Sequence, residues 1–215
     1  MSKKELRAGD FSSWLRHARR ALLVDDRTEV ECGTCTACCS SSQFIPIRPE
    51  ETGTLLRIDT DILVPAPGLP NGRLLLGYDR NGRCPLLRNG GCSIYEHRPL
   101  TCRTYDCRMF SAAGIIAGKP RIDQRVTQWK FSYPTESDRD EHLAVQATAK
   151  FIRDHAACFP GGRIPADPGQ LAVLAVKAYD VLPGNEAGKA RSAVETAAAL
   201  VEACRRFDAG RPDSG

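Results

Sequence analysis

The chain has 215 residues, enough for one well-buried domain or a small domain with an appendage. It is 42% hydrophobic and 26% charged, with 18 Gly and 14 Pro, which excludes collagen-like, low-complexity and disordered classes. Thirty Lys and Arg against 26 Asp and Glu leave +4, too small a surplus for a nucleic-acid footprint.

In chain order, residues 1–10 are polar and read as a frayed start. From Phe11 to Leu23 the apolar positions Phe11, Trp14, Leu15, Ala18 and Leu22 recur at helical spacing. Arg16, Arg19 and Arg20 fall on the other faces of this amphipathic helix and read as a solvated basic face. CGTCTACC fills 32–39, followed by serines and a short extended FIPI. Pro49 with Glu50 and Glu51 opens a short helix toward Ile58, the acids lying at its N-terminal dipole. VPAPGLPNG at 64–72 reads as loop. RLLLGYDRNGRCPLL reads as a hairpin, its second strand beginning at Arg83 after a DRNG turn, and RNGG at 88–91 as a second turn. Residues 109–134 look irregular to extended, with Ile115, Ile116, Trp129 and Phe131 covering the cysteine cluster. Three helices are predicted after that. The first spans 138–156, with Leu143, Ala147, Phe151 and Ile152 on its apolar side. The second spans 168–182, with Asp167 as N-cap and Pro168 at the first position, and closes near Pro183–Gly184. The third spans about 187–207 and stops around Gly210.

The fold class that follows is α+β: a small cysteine-rich metal-binding module with short strands and turns, flanked by an N-terminal helix and a C-terminal helical segment. The expected boundaries are 1–28 for the N-terminal helix, 29–134 for the module, 135–210 for the helical segment and 211–215 for a disordered tail.

Ten cysteines are the unusual feature of the composition, and eight of them fall between Cys32 and Cys107. Compartment decides what they mean. The N-terminus begins basic, but Arg16, His17, Arg19 and Arg20 interrupt any signal-type apolar block. No run approaches the roughly 18 apolar residues of a membrane span; LAVLAV at 171–176 ends at Lys177. The chain therefore reads as cytoplasmic, with no membrane contact. In a reducing cytosol clustered thiols are metal ligands or redox groups in preference to disulfides.

The first cysteine block is Cys32, Cys35, Cys38 and Cys39. A Cys-x2-Cys step lets two sulfurs converge because the intervening residues form a tight turn. Three thiols at successive x2 steps open a ferredoxin-type run, although Cys39 departs from that run by its adjacency to Cys38. The second block is Cys84, Cys92, Cys102 and Cys107, with no Cys-x2-Cys knuckle, so the fold has to bring them together. Four thiolates around Zn²⁺ or a 4Fe–4S core leave a net charge of about −2, which needs compensating donors. Arg98, Arg103 and Arg108 lie close by in sequence.

CGTCTACC followed by CPLLRNGGCSIYEHRPLTCRTYDC resembles the YkgJ-type cysteine-cluster proteins, which carry a zinc- or iron-chelating domain with a CxxCxxCC signature, a domain also found in flagellin lysine N-methylases. The likeness covers roughly residues 32–107, through the eight cysteines with Ile94–Tyr95, Arg98–Pro99 and Arg103. It implies an iron–sulfur or zinc site, and an enzyme much less firmly.

The eight metal-ligand candidates are thus Cys32, Cys35, Cys38, Cys39, Cys84, Cys92, Cys102 and Cys107. All are cysteine, they exceed the four that one structural zinc needs, and they open like a cluster run. These features favour an iron–sulfur cluster of the 4Fe–4S type over zinc, although two zinc sites would also use eight thiols. Cys158 and Cys204 read as core thiols and His97 as structural. His17, His142 and His155 read as exposed or capping. Tyr95, Tyr105 and Asp106 lie near cluster cysteines. No catalytic residue is assigned, since no P-loop, GxGxxG, HExxH or GxSxG motif occurs. The function expected is a metalloprotein whose centre is structural or redox-active. The alternatives are a cluster-dependent, methyltransferase-like modifier of proteins and a metal-knuckle module docking on an unknown protein partner; the modest charge speaks against nucleic acid.

Overall fold

The N-terminal segment expected to fray forms a strand. The computed structural model describes residues 5–24, 28, 30, 34–68, 72–182 and 191–210. Strand β1 (Leu6–Asp10) leads into helix α1 (Phe11–Val24), followed by β2 (Ile45–Ile47), α2 (Thr52–Leu55), β3 (Leu63–Pro65) and β4 (Leu74–Leu76). Next come β5 (Leu87–Arg88), β6 (Gly91–Cys92) and the short helices α3 (Leu100–Thr104), α4 (Arg108–Ala113) and α5 (Pro120–Val126). Strand β7 (Trp129–Ser132) precedes the longer helices α6 (Glu136–Asp154), α7 (Pro168–Lys177) and α8 (Ala193–Ala209). The fold is α+β, with an N-terminal helix and C-terminal helices. No helix among the described residues is long and apolar enough to cross a membrane. The chain divides into two compact units, one of residues 1–24, 107–118 and 123–215, the other of residues 25–106 and 119–122.

In the first unit β1 pairs in parallel with β7, Leu6 lying opposite Trp129. Only Ala8 of β1 is buried, so the strand carries no apolar alternation that sequence could reveal. Helix α1 buries Phe11, Trp14, Leu15, Ala18 and Ala21 as its spacing dictates. Arg19 departs from the expected solvated face. Its Nη1 donates to the carbonyls of Val176 and Lys177, each at 2.7 Å, and its guanidinium lies over Tyr179 and Phe207. It neutralises the C-terminal end of α7, where the helix dipole is negative. Residues 109–134 are also more ordered than expected. They contain all but the first residue of α4 and the whole of α5, and α4 is closed by Gly114 in the left-handed region at φ 62°, with the Ile115 N–H reaching Phe110 O at 3.0 Å.

Helix α6 packs against α1, α4 and α7. Its buried stripe is Ala144, Val145, Thr148, Ala149 and Ile152; of the predicted apolar side Ile152 is buried and Phe151 half-buried, while Ala147 is exposed and Leu143 is 63% exposed. Small residues along that stripe let three neighbours approach, which packing rather than side-chain hydrophobicity selects. Asp167 caps α7, accepting from Gln170 N, and Ser192 with Glu195 forms a capping box on α8. The predicted end of α7 at Pro183–Gly184, the predicted start of α8 at 187 and the tail 211–215 lie outside the described residues. His142 is not the exposed or capping residue expected. Its ring stacks on Phe11 at 4.3 Å and bonds Tyr133 Oη through Nδ1 at 2.8 Å, and burial lowers its pKa.

Asp138 joins the starts of two helices. Its carboxylate accepts from the hydroxyl and N–H of Thr135 at 2.6 and 2.9 Å and from Ser12 N, near the start of α1, at 2.8 Å. These bonds, that of the Thr135 hydroxyl first, hold its pKa at about 2. A folded pKa below the unfolded one gives stability that is complete above the unfolded value and lost as pH falls through the folded one. Thermal unfolding followed from pH 5 to pH 2 is therefore expected to show a falling midpoint, with a shallower slope in Asp138→Asn.

In the second unit β4 is the centre of a three-stranded antiparallel sheet in the order β2–β4–β3. The predicted hairpin is thus replaced: LLL at 74–76 pairs with the FIPI segment and with Leu63–Pro65, part of the stretch expected as loop. Residues 79–83 close a turn, Asp79 N donating to Arg83 O at 2.8 Å, and no second strand starts at Arg83. The RNGG turn does form, between β5 and β6, with Asn89 at φ 50° and Gly90 at φ 80° as a two-residue hairpin loop requires. Ile47, Ile58, Leu76 and Leu86 form the core, and Cys84, Cys92 and Ile94 pack against it.

Candidate metal centre

One close contact aligns the two cysteine blocks. Gly82 stands at φ 72°, where a Cβ would lie 2.4 Å from Ser42 Oγ, so only glycine fits. That approach lets Ser42 N donate to Gly82 O at 2.9 Å and Cys84 N donate to Cys39 O at 2.8 Å. Cys39 of the first block is thereby fastened to Cys84 of the second. Cys92 sits across the β5–β6 hairpin from Leu87, and Cys102 lies within α3.

The electrostatics identify which thiols share a neighbourhood. Burial first, and then the charges of Cys39, Cys84 and Cys92, push the Cys102 thiol up to about 12, with Arg98 acting in the opposite direction. Burial also raises the Cys84 thiol, and Cys92 adds to the rise. Opposing this, the backbone N–H groups of Leu86 and Leu87 hydrogen-bond to the Cys84 sulfur. Leu87 N also donates to Cys84 O at 3.0 Å, closing a turn in which Pro85 sets the bend. Two N–H groups converging on one sulfur favour its thiolate.

Cys102 is therefore coupled to Cys39, Cys84 and Cys92, and Cys84 to Cys92. Cys35 and Cys38 are half-buried, Cys38 opening a 3₁₀ turn, and Cys32 lies outside the described residues. Cys107 falls in the other unit, buried, with Trp129 Nε1 donating to its sulfur at 3.2 Å. None of the described cysteines is joined in a disulfide. Among the described residues no group of three or more His, Cys, Asp or Glu stands in an arrangement that could hold a metal ion as it is. Loading would thus require the four thiols to draw in.

The donor set still fits a soft cation. Four thiols share one partly buried neighbourhood where burial makes ionising Cys84 and Cys102 costly, and a bound cation would offset that cost. Cys39, Cys84, Cys92 and Cys102 would hold the group; when bound, it supplies a rigid cross-link and, if iron, an electron-accepting centre.

The remaining residues singled out from sequence are placed as follows. Cys204 donates weakly to Leu174 O at 3.9 Å and burial raises its pKa, while Cys158 is half-buried at the end of a 3₁₀ turn. His97 is exposed, and its carbonyl accepts from Thr54 Oγ1 at 2.9 Å. Tyr95 is 41% exposed beneath the Arg98 guanidinium, and Asp106 is buried. Ile116 is 74% exposed, and Phe131 packs on Phe11 and Trp14.

Sequence reasoning overlooked Glu51. One of its oxygens accepts from Arg48 N at 2.9 Å, and the other accepts from Leu100 N at 2.5 Å and stands 3.9 Å from Arg103. It fixes the start of α3, which carries Cys102. The sequence marked Glu51 only as one of two acids at the start of a helix after Pro49, and nothing in it pointed to Leu100 or Arg103.

No curated protein and no solved structure matches the chain. A family model named CxxCxxCC, with the description "putative zinc- or iron-chelating domain", matches residues 31–130, just under half of the chain. The matched stretch contains the four coupled thiols together with Cys32, Cys35, Cys38 and Cys107. Residues 31–130 are thus similar to the CxxCxxCC domain family, whose description is a "putative zinc- or iron-chelating domain".

Proposed function

We propose that this chain is a cytoplasmic metalloprotein whose CxxCxxCC domain holds an iron–sulfur cluster, with a structural or redox role. The observation that carries the reading is the coupling of Cys102 to Cys39, Cys84 and Cys92, four sulfur donors drawn from both cysteine blocks. A purely sulfur donor set suits iron–sulfur clusters, and the opening of the first block matches a cluster-binding run. A second reading, a zinc Cys₄ site, is favoured by the Cys84–Pro85 turn, whose N–H groups bond the sulfur as a structural zinc knuckle also requires.

Purification without oxygen, with metal and acid-labile sulfide analysis, separates the two. Brown protein containing iron and sulfide supports the cluster. Colourless protein with stoichiometric zinc replaces it by the zinc site, and protein that takes up neither metal overturns both.

A further inference from the structure

The sequence places three arginines near the second cysteine block, and the structure separates them. Arg108 belongs to the other unit, where its Nη1 donates to Ala8 O at 3.2 Å and its guanidinium lies 5.9 Å from the Trp129 ring. Arg98 and Arg103 stay with the coupled thiols, on either side of Cys102. The Nε of each is buried and, among the described residues, has no hydrogen-bond acceptor.

A buried guanidinium N–H without an acceptor is costly, so such groups are normally satisfied. The rest of each side chain is held in place. Arg98 lies over the Tyr95 ring at 3.7 Å, and Arg103 stands 3.9 Å from Glu51. The Arg98 charge already acts on the Cys102 sulfur. Four thiolates around a divalent ion or a 4Fe–4S core carry about −2, and two guanidiniums are opposite to that charge in sign and equal to it in size.

We propose that Arg98 and Arg103 are the counter-cations of the thiolate centre built from Cys39, Cys84, Cys92 and Cys102, a role that rests on the metal-binding reading. They are positioning residues that act on the metal through its sulfur ligands. Outer-shell partners of this kind change metal affinity by about 10–100-fold.

The test uses the full chain, reduced and free of oxygen, titrated with Co(II) and then Zn(II) against a chromophoric chelator. Arg98→Gln and Arg103→Gln are each expected to weaken affinity about tenfold or more. Arg98→Lys, which keeps the charge, should retain most of it, and the exposed Arg88→Gln should match wild type. Equal affinities in wild type, R98Q and R103Q would overturn the assignment. Should R98Q fail to fold, R98K decides: affinity near wild type supports a charge role, and a loss as deep as that of Cys102→Ser refutes it. Wild type that binds no Co(II), with no sulfur-to-cobalt absorption, overturns the metal reading itself.

Discussion

Replacing Cys102 by serine should lower metal affinity by at least about a hundredfold, because even outer-shell changes cost about 10–100-fold and this one removes a ligand. Cys102 is the sulfur that the charges of Cys39, Cys84 and Cys92 all reach, so it stands at the middle of the group. Serine keeps the shape but supplies a hydroxyl that does not ionise to a soft donor near neutral pH. The same thiol sets the pH dependence of loading. Cys102 is pushed up to about 12 and Cys84 is raised above its ordinary 9.0, so both are protonated in the metal-free protein near neutrality. Binding must release at least these two protons, and affinity should fall by at least about a hundredfold for each unit by which pH drops. Chelator-competition titrations at pH 6.5, 7.5 and 8.5 would show the slope, and a pH-independent affinity would exclude these two thiols as ligands.

Phe11→Ala is expected to cost the first unit about 3–5 kcal/mol. The Phe11 side chain is fully buried and meets Phe131 at 4.9 Å, His142 at 4.3 Å and Trp14 at 5.4 Å between ring centroids. Truncation removes the transfer free energy of the ring and leaves a cavity whose walls, helices α1 and α6 and strand β7, relax only in part. Denaturant unfolding followed by tryptophan fluorescence would measure the loss, since Trp14 and Trp129 both lie in this unit. A change below about 1 kcal/mol would mean that the site collapses around the alanine.

Features written in short-range code were legible in the sequence. The spacing of Phe11, Trp14, Leu15 and Ala18 gave α1, the Asp167–Pro168 pair gave the start of α7, and the glycines after Asn89 gave the hairpin turn. The cysteine spacing marked out the chelating segment because a Cys-x2-Cys step is itself local. Pairing across distance was not legible. LLL at 74–76 takes its partners from segments before it rather than after it, because the turn at 79–83 brings Cys84 against Cys39 instead of returning a strand. The grouping of the thiols depends on that register and on the Gly82–Ser42 approach, neither of which leaves a periodic signal. Helix α6 misled for a different reason: its alanines, not its leucine, face the neighbours that α6 packs against.

The parallel pairing of β1 with β7 has a consequence for biosynthesis. Leu6 cannot meet Trp129 until everything between them has been synthesised, and that intervening stretch includes the whole of the cysteine-rich unit, residues 25–106 and 119–122. Contacts so far apart along the chain are slow to form, and domains fold as units while translation proceeds. The thiols therefore emerge before the first unit is complete, and on the metal-binding reading chelator present during translation should harm the nascent protein more than the same chelator added after release.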